Sequence, residues 1–169
     1  MIMSGLRFTS PYIKQMGTIA AILNICYADL ISSHPDLWGN EAEGWERFDT
    51  DVYESPEGIG DCTFLSWHDD DLIGFASYDP RQWPAFGIIG HNGVLPEFQG
   101  QGFGKQQILE ILRRFQKIGF KKAKVSTLDH PFFAPAQAMY FSCGFCESRR
   151  FPWEGSPEYR LIEYEKDLE

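Results

Sequence analysis

Val94-Leu95-Pro96-Glu97-Phe98-Gln99-Gly100-Gln101-Gly102-Phe103-Gly104-Lys105 is the stretch on which the reading of this chain turns. Ahead of it, Phe86 to Leu95 reads as a buried strand interrupted by Gly87, Gly90 and Gly93, and glycine inside a strand marks a bulge or the close approach of another group. Behind it, Ile108, Ile111, Leu112, Phe115 and Ile118 fall on one helical face, and Gly119 closes the segment. Three alternating glycines therefore stand between a strand and the start of an amphipathic helix. The first N–H groups of a helix have no intrahelical partner, and glycine lets an anion approach the backbone without meeting a Cβ. A diphosphate can be held there without a cluster of arginines. Two familiar glycine loops are excluded. A Walker A loop needs glycine where Gln99 stands and Ser or Thr where Gln106 stands, and a dinucleotide fingerprint needs two residues between its second and third glycines.

Outward from the loop, Ala123 to Leu128 reads as a strand, Pro135 to Cys143 as a helix and Tyr159 to Tyr164 as a final strand. Upstream, Cys62 to Trp67 and Leu72 to Tyr78 read as a hairpin whose polar turn is His68 to Asp71. The adjacent aspartates belong to that solvated turn rather than to a metal site. Ser10 before Pro11 has the form of a helix start, followed by Ile13, Met16, Ile19, Ala20, Leu23 and Tyr27 at helical spacing. Residues 31–59 show no clear period, and we expect a short second helix and loops there. No repeat or low-complexity linker interrupts the chain, so 1–169 is expected to form a single domain.

The 169 residues are ordinary in composition, with 43% hydrophobic and 23% charged side chains, and a chain of this length buries about two-thirds of its unfolded surface. A net charge of -9 argues against a nucleic-acid phosphate backbone as the main partner. No stretch has the length of a membrane span and no early segment has the apolar run of a signal peptide, so neither a membrane nor secretion is expected, and the cytoplasm is the expected location. Cys26, Cys62, Cys143 and Cys146 are too few and scattered for a disulfide scaffold. The Cys143/Cys146 pair lacks the second ligand pair of a zinc site, so these are read as ordinary thiols and no metal is expected.

The loop resembles the acyl-CoA loop of the GNAT superfamily of N-acetyltransferases: Gln or Arg, two residues, Gly, one residue, Gly or Ala, filled here by Gln99, Gly102 and Gly104. Val94, Leu95 and Pro96 are similar to the end of that family's central strand, and Ala136, Tyr140, Gly144 and Phe145 resemble its later helix and glycine-aromatic pair. The resemblance is detailed over the C-terminal half and holds in outline elsewhere. It implies an α/β fold, a GNAT-like single domain in which a mixed central β-sheet with a splayed central strand pair carries flanking helices. It also implies acetyl-CoA (coenzyme A) as cosubstrate, with no metal, and transfer of an acetyl group to a primary amine of a small molecule or peptide by direct attack through a tetrahedral intermediate. The oligomeric state is open, a homodimer included.

The same resemblance assigns cofactor-binding positions. Backbone groups near Val94 and Leu95 would pair with the pantetheine arm, and the amides of Gln99, Gly100, Gln101, Gly102, Phe103 and Gly104 would hold the pyrophosphate. Lys105 either assists the phosphate or lies in solvent. One departure is Phe133, where similar proteins often carry asparagine.

Acyl transfer needs a neutral amine, stabilisation of an oxyanion and a proton for the departing thiolate. Tyr140, a phenol protonated at neutral pH, is the candidate acid, set against a packing role for the same ring. Similar enzymes use a strand carboxylate as base, but Phe86 to Leu95 contains none. His91 is the titrating side chain there, with Asp129 and His130 as runners-up. Because that carboxylate is missing, a catalytically weak acyl-CoA binding or sensing module stands as the alternative. Trp38 and Trp45 beside Glu41, Glu43 and Glu46 admit two readings: a pocket for an ammonium group, or an amphipathic helix with tryptophans inward and glutamates in water.

Overall fold

The computed structural model describes residues 3–169 and gives the order β1 (Leu6–Thr9), α1 (Thr18–Cys26), α2 (Ala28–Ser33), α3 (Pro35–Trp38), α4 (Glu41–Glu54), β2 (Thr63–His68), β3 (Asp71–Asp79), β4 (Gly87–Val94), α5 (Phe103–Ile118), β5 (Lys122–Leu128), α6 (Ala134–Ser142), β6 (Cys146–Pro152) and β7 (Arg160–Asp167). The strands form one mixed sheet ordered β1-β2-β3-β4-β5-β7-β6. Most neighbours run antiparallel, whereas β4 and β5 are parallel and pair only at Gly87↔Ala123 and Ile88↔Lys124. Among the described residues these two strands share no further pair, although β4 continues to Val94. The chain divides into two compact units, one comprising the residues up to Tyr78 with His91–Gln107, the other Asp79–Gly90 with Ile108–Glu169.

In the first unit, β2 is buried along nearly its whole length, because Leu65 and Trp67 join Phe75 of β3 in a cluster with Ile19, Ile22 and Leu23 of α1 and Trp45 and Val52 of α4. The expected start of the first helix is corrected. Ser10 caps a single 3-10 turn at Pro11–Ile13, its Oγ accepting from the Tyr12 N–H at 3.2 Å, and α1 begins only at Thr18. Ile13 and Met16 consequently lie exposed rather than on a buried stripe. The cap of α1 comes from elsewhere in the chain. Asp49 of α4, 2% exposed, accepts from the N–H groups of Gly17 (2.7 Å), Ile19 (2.9 Å) and Ala20 (3.0 Å). A buried carboxylate thereby receives the orphan donors of a helix end whose own cap position, Gly17, has no side chain to offer.

Residues 31–59 hold more helix than expected, since α3 and the 14-residue α4 both lie there. Trp38 and Trp45 are buried, Trp45 stacks on Tyr27 with ring centroids 5.2 Å apart, and Glu41, Glu43 and Glu46 face solvent. The amphipathic-helix reading holds and the ammonium-cage reading is corrected: the tryptophan faces are occupied by the core. The hairpin forms as expected, with Asp69 and Asp70 as the link between β2 and β3.

In the second unit, α5 buries Ile108, Ile111, Leu112 and Phe115, while Ile118, expected on the same face, is exposed. Gly119 (φ 93°) ends the helix in a Schellman arrangement: its N–H bonds the Gln116 carbonyl at 3.2 Å, the Phe120 N–H bonds the Phe115 carbonyl at 3.0 Å, and the two phenyl rings pack 5.0 Å apart. α6 ends in the same way. Gly144 (φ 89°) donates to Phe141 at 3.0 Å and Phe145 donates to Tyr140 at 3.1 Å. β5 and β7 alternate cleanly, with Ala123, Val125, Ile162 and Tyr164 buried and Lys122, Lys124, Glu163 and Glu165 on the other face. These charges pair, at 2.7 Å for Lys122–Glu165 and 3.0 Å for Lys124–Glu165, and Arg149 of β6 adds a two-pronged bond to Glu163. β1 and β6 lay outside the sequence expectation. β6 is exposed on both faces, so no apolar alternation marks it.

Candidate active site

The end of β4 is fixed to β3 by the Leu95 N–H, which donates to the Ile73 carbonyl at 2.8 Å. Pro96 then opens a 3-10 turn, Pro96–Phe98, in which the Phe98 N–H reaches Leu95 (2.9 Å) and the Gln99 N–H reaches Pro96 (3.2 Å). Gln99, the first residue of the loop motif, folds its side chain back, and its Nε2 donates to the Val94 carbonyl at 2.8 Å. Gln101 does the same more loosely, to Glu97 at 3.3 Å. The glutamines thus shape the turn, and the backbone is left to face outward.

Gly100 (φ 75°) and Gly102 (φ 89°) both adopt the left-handed conformation that a Cβ disfavours. A Cβ at Gly100 would meet nothing within 4 Å, and one at Gly102 only the Met3 sulfur at 3.9 Å, so the space above both is open. The first intrahelical bond into the loop is from Gln106 to the Gly102 carbonyl at 3.2 Å. Among the described residues, no backbone N–H from Gly100 to Lys105 has an intramolecular acceptor. The first turn of α5 carries no acidic side chain to compete for that partial positive charge. Open space, a row of unclaimed donors and a 16-residue helix behind them fit a polyanion. Lys105 is half-buried in that first turn. Of the strand-end groups assigned to pantetheine, the Leu95 N–H and the Leu95 and Val94 carbonyls already have partners within the chain.

Val94 also accepts from Cys26 Sγ of α1 at 3.3 Å. Burial, reinforced by the charge of Glu97, pushes this thiol up to about 11, so it stays protonated and is a poor nucleophile. His91 of β4 keeps an exposed edge yet is surrounded closely enough that desolvation holds its imidazole below the ordinary 6.5. Its ring stands edge-on to Phe48 at 4.8 Å, and its carbonyl accepts from Ser77 Oγ at 2.7 Å. A neutral imidazole with a water-accessible edge is a competent proton acceptor at neutral pH.

The runners-up are tied into the fold. Asp129 Oδ1 accepts from the Arg160 N–H at 2.8 Å, and His130 Nδ1 accepts from the Phe132 N–H at 3.0 Å while its ring packs on Tyr159. Tyr140 is 5% exposed and packs against Phe145 and Tyr164, each with ring centroids 6.0 Å away. Phe133 packs on Phe132 at 5.1 Å. Cys143 is buried and Cys146 exposed, both as free thiols. Among the described residues there is no cluster of three or more metal-binding side chains, and no helix is long and apolar enough to cross a membrane.

One polar residue escaped the sequence reading. Gln107 of α5 is 1% exposed and donates from Nε2 to Ser66 Oγ (3.0 Å) and to the Gly93 carbonyl (3.2 Å). It occupies the spacing Phe103, Gln107, Ile111, Phe115, in which its neighbours are all buried and apolar, and that break in the pattern was the available signal.

Residues 21–145 match the model of the acetyltransferase (GNAT) family, and the chain belongs to that family. Among solved structures it is similar to a protein from Desulfovibrio desulfuricans described as a GNAT-family acetyltransferase (17% identity, 97% of this chain and 99% of that one, TM-score 0.72). It is similar also to yncA of Salmonella typhimurium, solved with its cofactor acetyl-CoA (15% identity, 98% and 95%, TM-score 0.67). A third similar structure is the microcin C7 self-immunity acetyltransferase MccE in complex with acetyl-CoA and AMP (14% identity, 98% and 93%, TM-score 0.72). At these identities the likeness speaks to the fold. Among curated proteins no sequence matches significantly.

Proposed function

We propose that this chain transfers an acetyl group from acetyl-CoA to a primary amine of a small molecule or peptide, by direct attack and without a covalent acyl-enzyme. The observation that carries the reading is the row of unclaimed N–H groups from Gly100 to Lys105 beneath two left-handed glycines. Those donors would take the pyrophosphate oxygens, with Lys105 adding charge from the first helical turn. Structures of the similar proteins yncA and MccE contain acetyl-CoA, which supports the same ligand here.

In this reading His91 takes a proton from the acceptor ammonium, directly or through water, so that the free amine attacks the thioester carbonyl. The C–N bond forms, the attacking nitrogen gives its second proton to water, the tetrahedral oxyanion collapses, the C–S bond breaks, and Tyr140 gives its proton to the departing thiolate. His91 then releases its proton to solvent and Tyr140 regains one from it, so one proton is released per acetyl group transferred. The protonated state of Cys26 supports direct transfer. The four free cysteines fit the reducing cytoplasm, and a single functional domain over 1–169 belongs to the same reading.

The absence of any carboxylate on β4 supports a second reading, an acyl-CoA binding or sensing module with little turnover. Release of free CoA from acetyl-CoA, measured against a panel of small amines and peptide N-termini, separates the two. Acceptor-dependent release supports transfer. Tight acetyl-CoA binding with no release under any acceptor supports the sensor, and no binding at all overturns both.

A further inference from the structure

We infer that Gln107 is a positioning residue for acetyl-CoA, holding the Gly93 carbonyl in place over Gly74 of β3 so that the end of β4 keeps the shape a ligand needs; this rests on the acetyl-CoA reading above. Gly93 lies immediately before the Val94–Leu95 strand end. Its carbonyl oxygen would lie 2.1 Å from a Cβ placed on Gly74 of β3, so it sits over the neighbouring strand's backbone. Gly74 is the residue that leaves room for it, because any larger side chain would collide with that oxygen. This carbonyl accepts from Gln107 Nε2, which reaches it from α5 at 3.2 Å. Two residues on, the Leu95 N–H bonds the Ile73 carbonyl of β3 at 2.8 Å. The end of β4 is thus held by a side-chain clamp at Gly93 and a strand bond at Leu95.

The orientation of the amide follows from its partners. A carbonyl can only accept, so the nitrogen must face Gly93, and a flipped amide would set two oxygens against each other. The same nitrogen also serves Ser66 Oγ, which leaves Gln107 Oε1 buried with no hydrogen-bond partner. A buried orphan acceptor is unfavourable, and an apolar side chain at 107 would continue the buried run of Phe103, Ile111 and Phe115 without it. A residue that breaks a local rule inside a well-packed helix face points to a constraint other than stability. The Gly93 contact supplies that constraint, because α5 also carries the N–H groups of Phe103, Gly104 and Lys105. One helix then sets both the donors at its N-terminus and the carbonyl at the strand end.

Acetyl-CoA binding by calorimetry, with unfolding midpoints measured in parallel, tests this on Gln107→Met, Gln107→Leu and Ser66→Ala. The first two remove both donors and retain apolar bulk, whereas Ser66→Ala removes one buried bond and leaves the Gly93 clamp. We expect the dissociation constant for acetyl-CoA to rise about tenfold in both Gln107 variants, the equivalent of one hydrogen bond, and to stay unchanged in Ser66→Ala despite a comparable shift in midpoint. Equal affinities in all three proteins overturn the inference, as does a loss in Ser66→Ala matching that of the Gln107 variants. Failure of both Gln107 variants to fold also overturns it, by making the residue purely structural. If the unaltered protein does not bind acetyl-CoA, the acetyl-CoA reading itself has failed, which is a separate result.

Discussion

Replacing Gly102 with valine tests whether the loop backbone is the anion site. Two effects separate cleanly there. Gly102 sits at φ 89°, and a residue with a Cβ in that conformation costs about 1–2 kcal/mol. No clash adds to this, since only the Met3 sulfur lies within 4 Å of the new Cβ. For a chain of this size the strain corresponds to a fall in Tm of about 2–8 °C. The same side chain enters the open space over the unclaimed N–H groups. Loss of one charge-assisted hydrogen bond there, worth about 1.5–3 kcal/mol, weakens acetyl-CoA binding by about 10- to 100-fold. Gly119→Val supplies the control, because Gly119 is equally left-handed (φ 93°), has nothing within 4 Å and ends a helix instead of opening one. Isothermal calorimetry with acetyl-CoA and thermal unfolding of both variants give the comparison. We expect similar losses of stability and a loss of affinity in Gly102→Val alone. Unchanged affinity in a folded Gly102→Val protein would refute the placement of the pyrophosphate.

Three other expectations follow from the site and the core. Tyr140→Phe retains the ring contacts to Phe145 and Tyr164 and removes one hydroxyl, so kcat should fall about tenfold or more while acetyl-CoA affinity is preserved; equal turnover returns Tyr140 to a packing role. Because desolvation holds His91 below 6.5, its neutral form is present at pH 7, and kcat/KM should rise with pH through a midpoint below 6.5 and be level by neutrality; His91→Ala should remove that limb, and a midpoint above 7 contradicts the assignment. The same depressed value makes the unfolded chain bind the proton more readily, so this group's contribution to stability is present above pH 6.5 and lost as the pH falls through the lowered folded value. Asp49→Ala leaves the N–H groups of Gly17, Ile19 and Ala20 without their acceptor and should cost about 3 kcal/mol in urea unfolding, with Asp49→Asn milder; a loss below about 1 kcal/mol would mean that water replaces the cap.

The segments legible in the sequence are those whose structure is set locally or by one buried face. The helix behind the glycine loop, the hairpin turning at Asp69 and Asp70, and the alternation of β5 all follow from periodicity. What was hidden depends on distant partners. α1 starts at Thr18 rather than after Ser10 because its cap is Asp49, on another helix. β6 turns neither face toward a core, so no strand was expected at Arg149 and Arg150, although they pair with β7. The loop itself was legible as a motif, but the division of labour within it was not: Gln99 matches the pattern, and only the folded chain reveals that its side chain ties the turn to Val94. The contacts of Gln107 with Ser66 and Gly93 were equally out of reach, because the sequence carried the anomaly without its partner.

The two helix ends built on Gly119 and Gly144 share one grammar, an aromatic residue, three more, glycine, and a second aromatic. In α6 the first aromatic is Tyr140, and the turn made by the backbone bond from Phe145 brings that residue's ring against the phenol ring. A tyrosine on an open loop would search among rotamers each time a ligand arrived. In the proposed mechanism, the chain reversal that ends the helix would make that choice during folding, leaving little side-chain freedom to be lost at the moment of reaction. On that reading chain termination and the placing of the acid are one event, and a substitution at Gly144 that never touched a substrate would still disturb the packing of the phenol on Phe145.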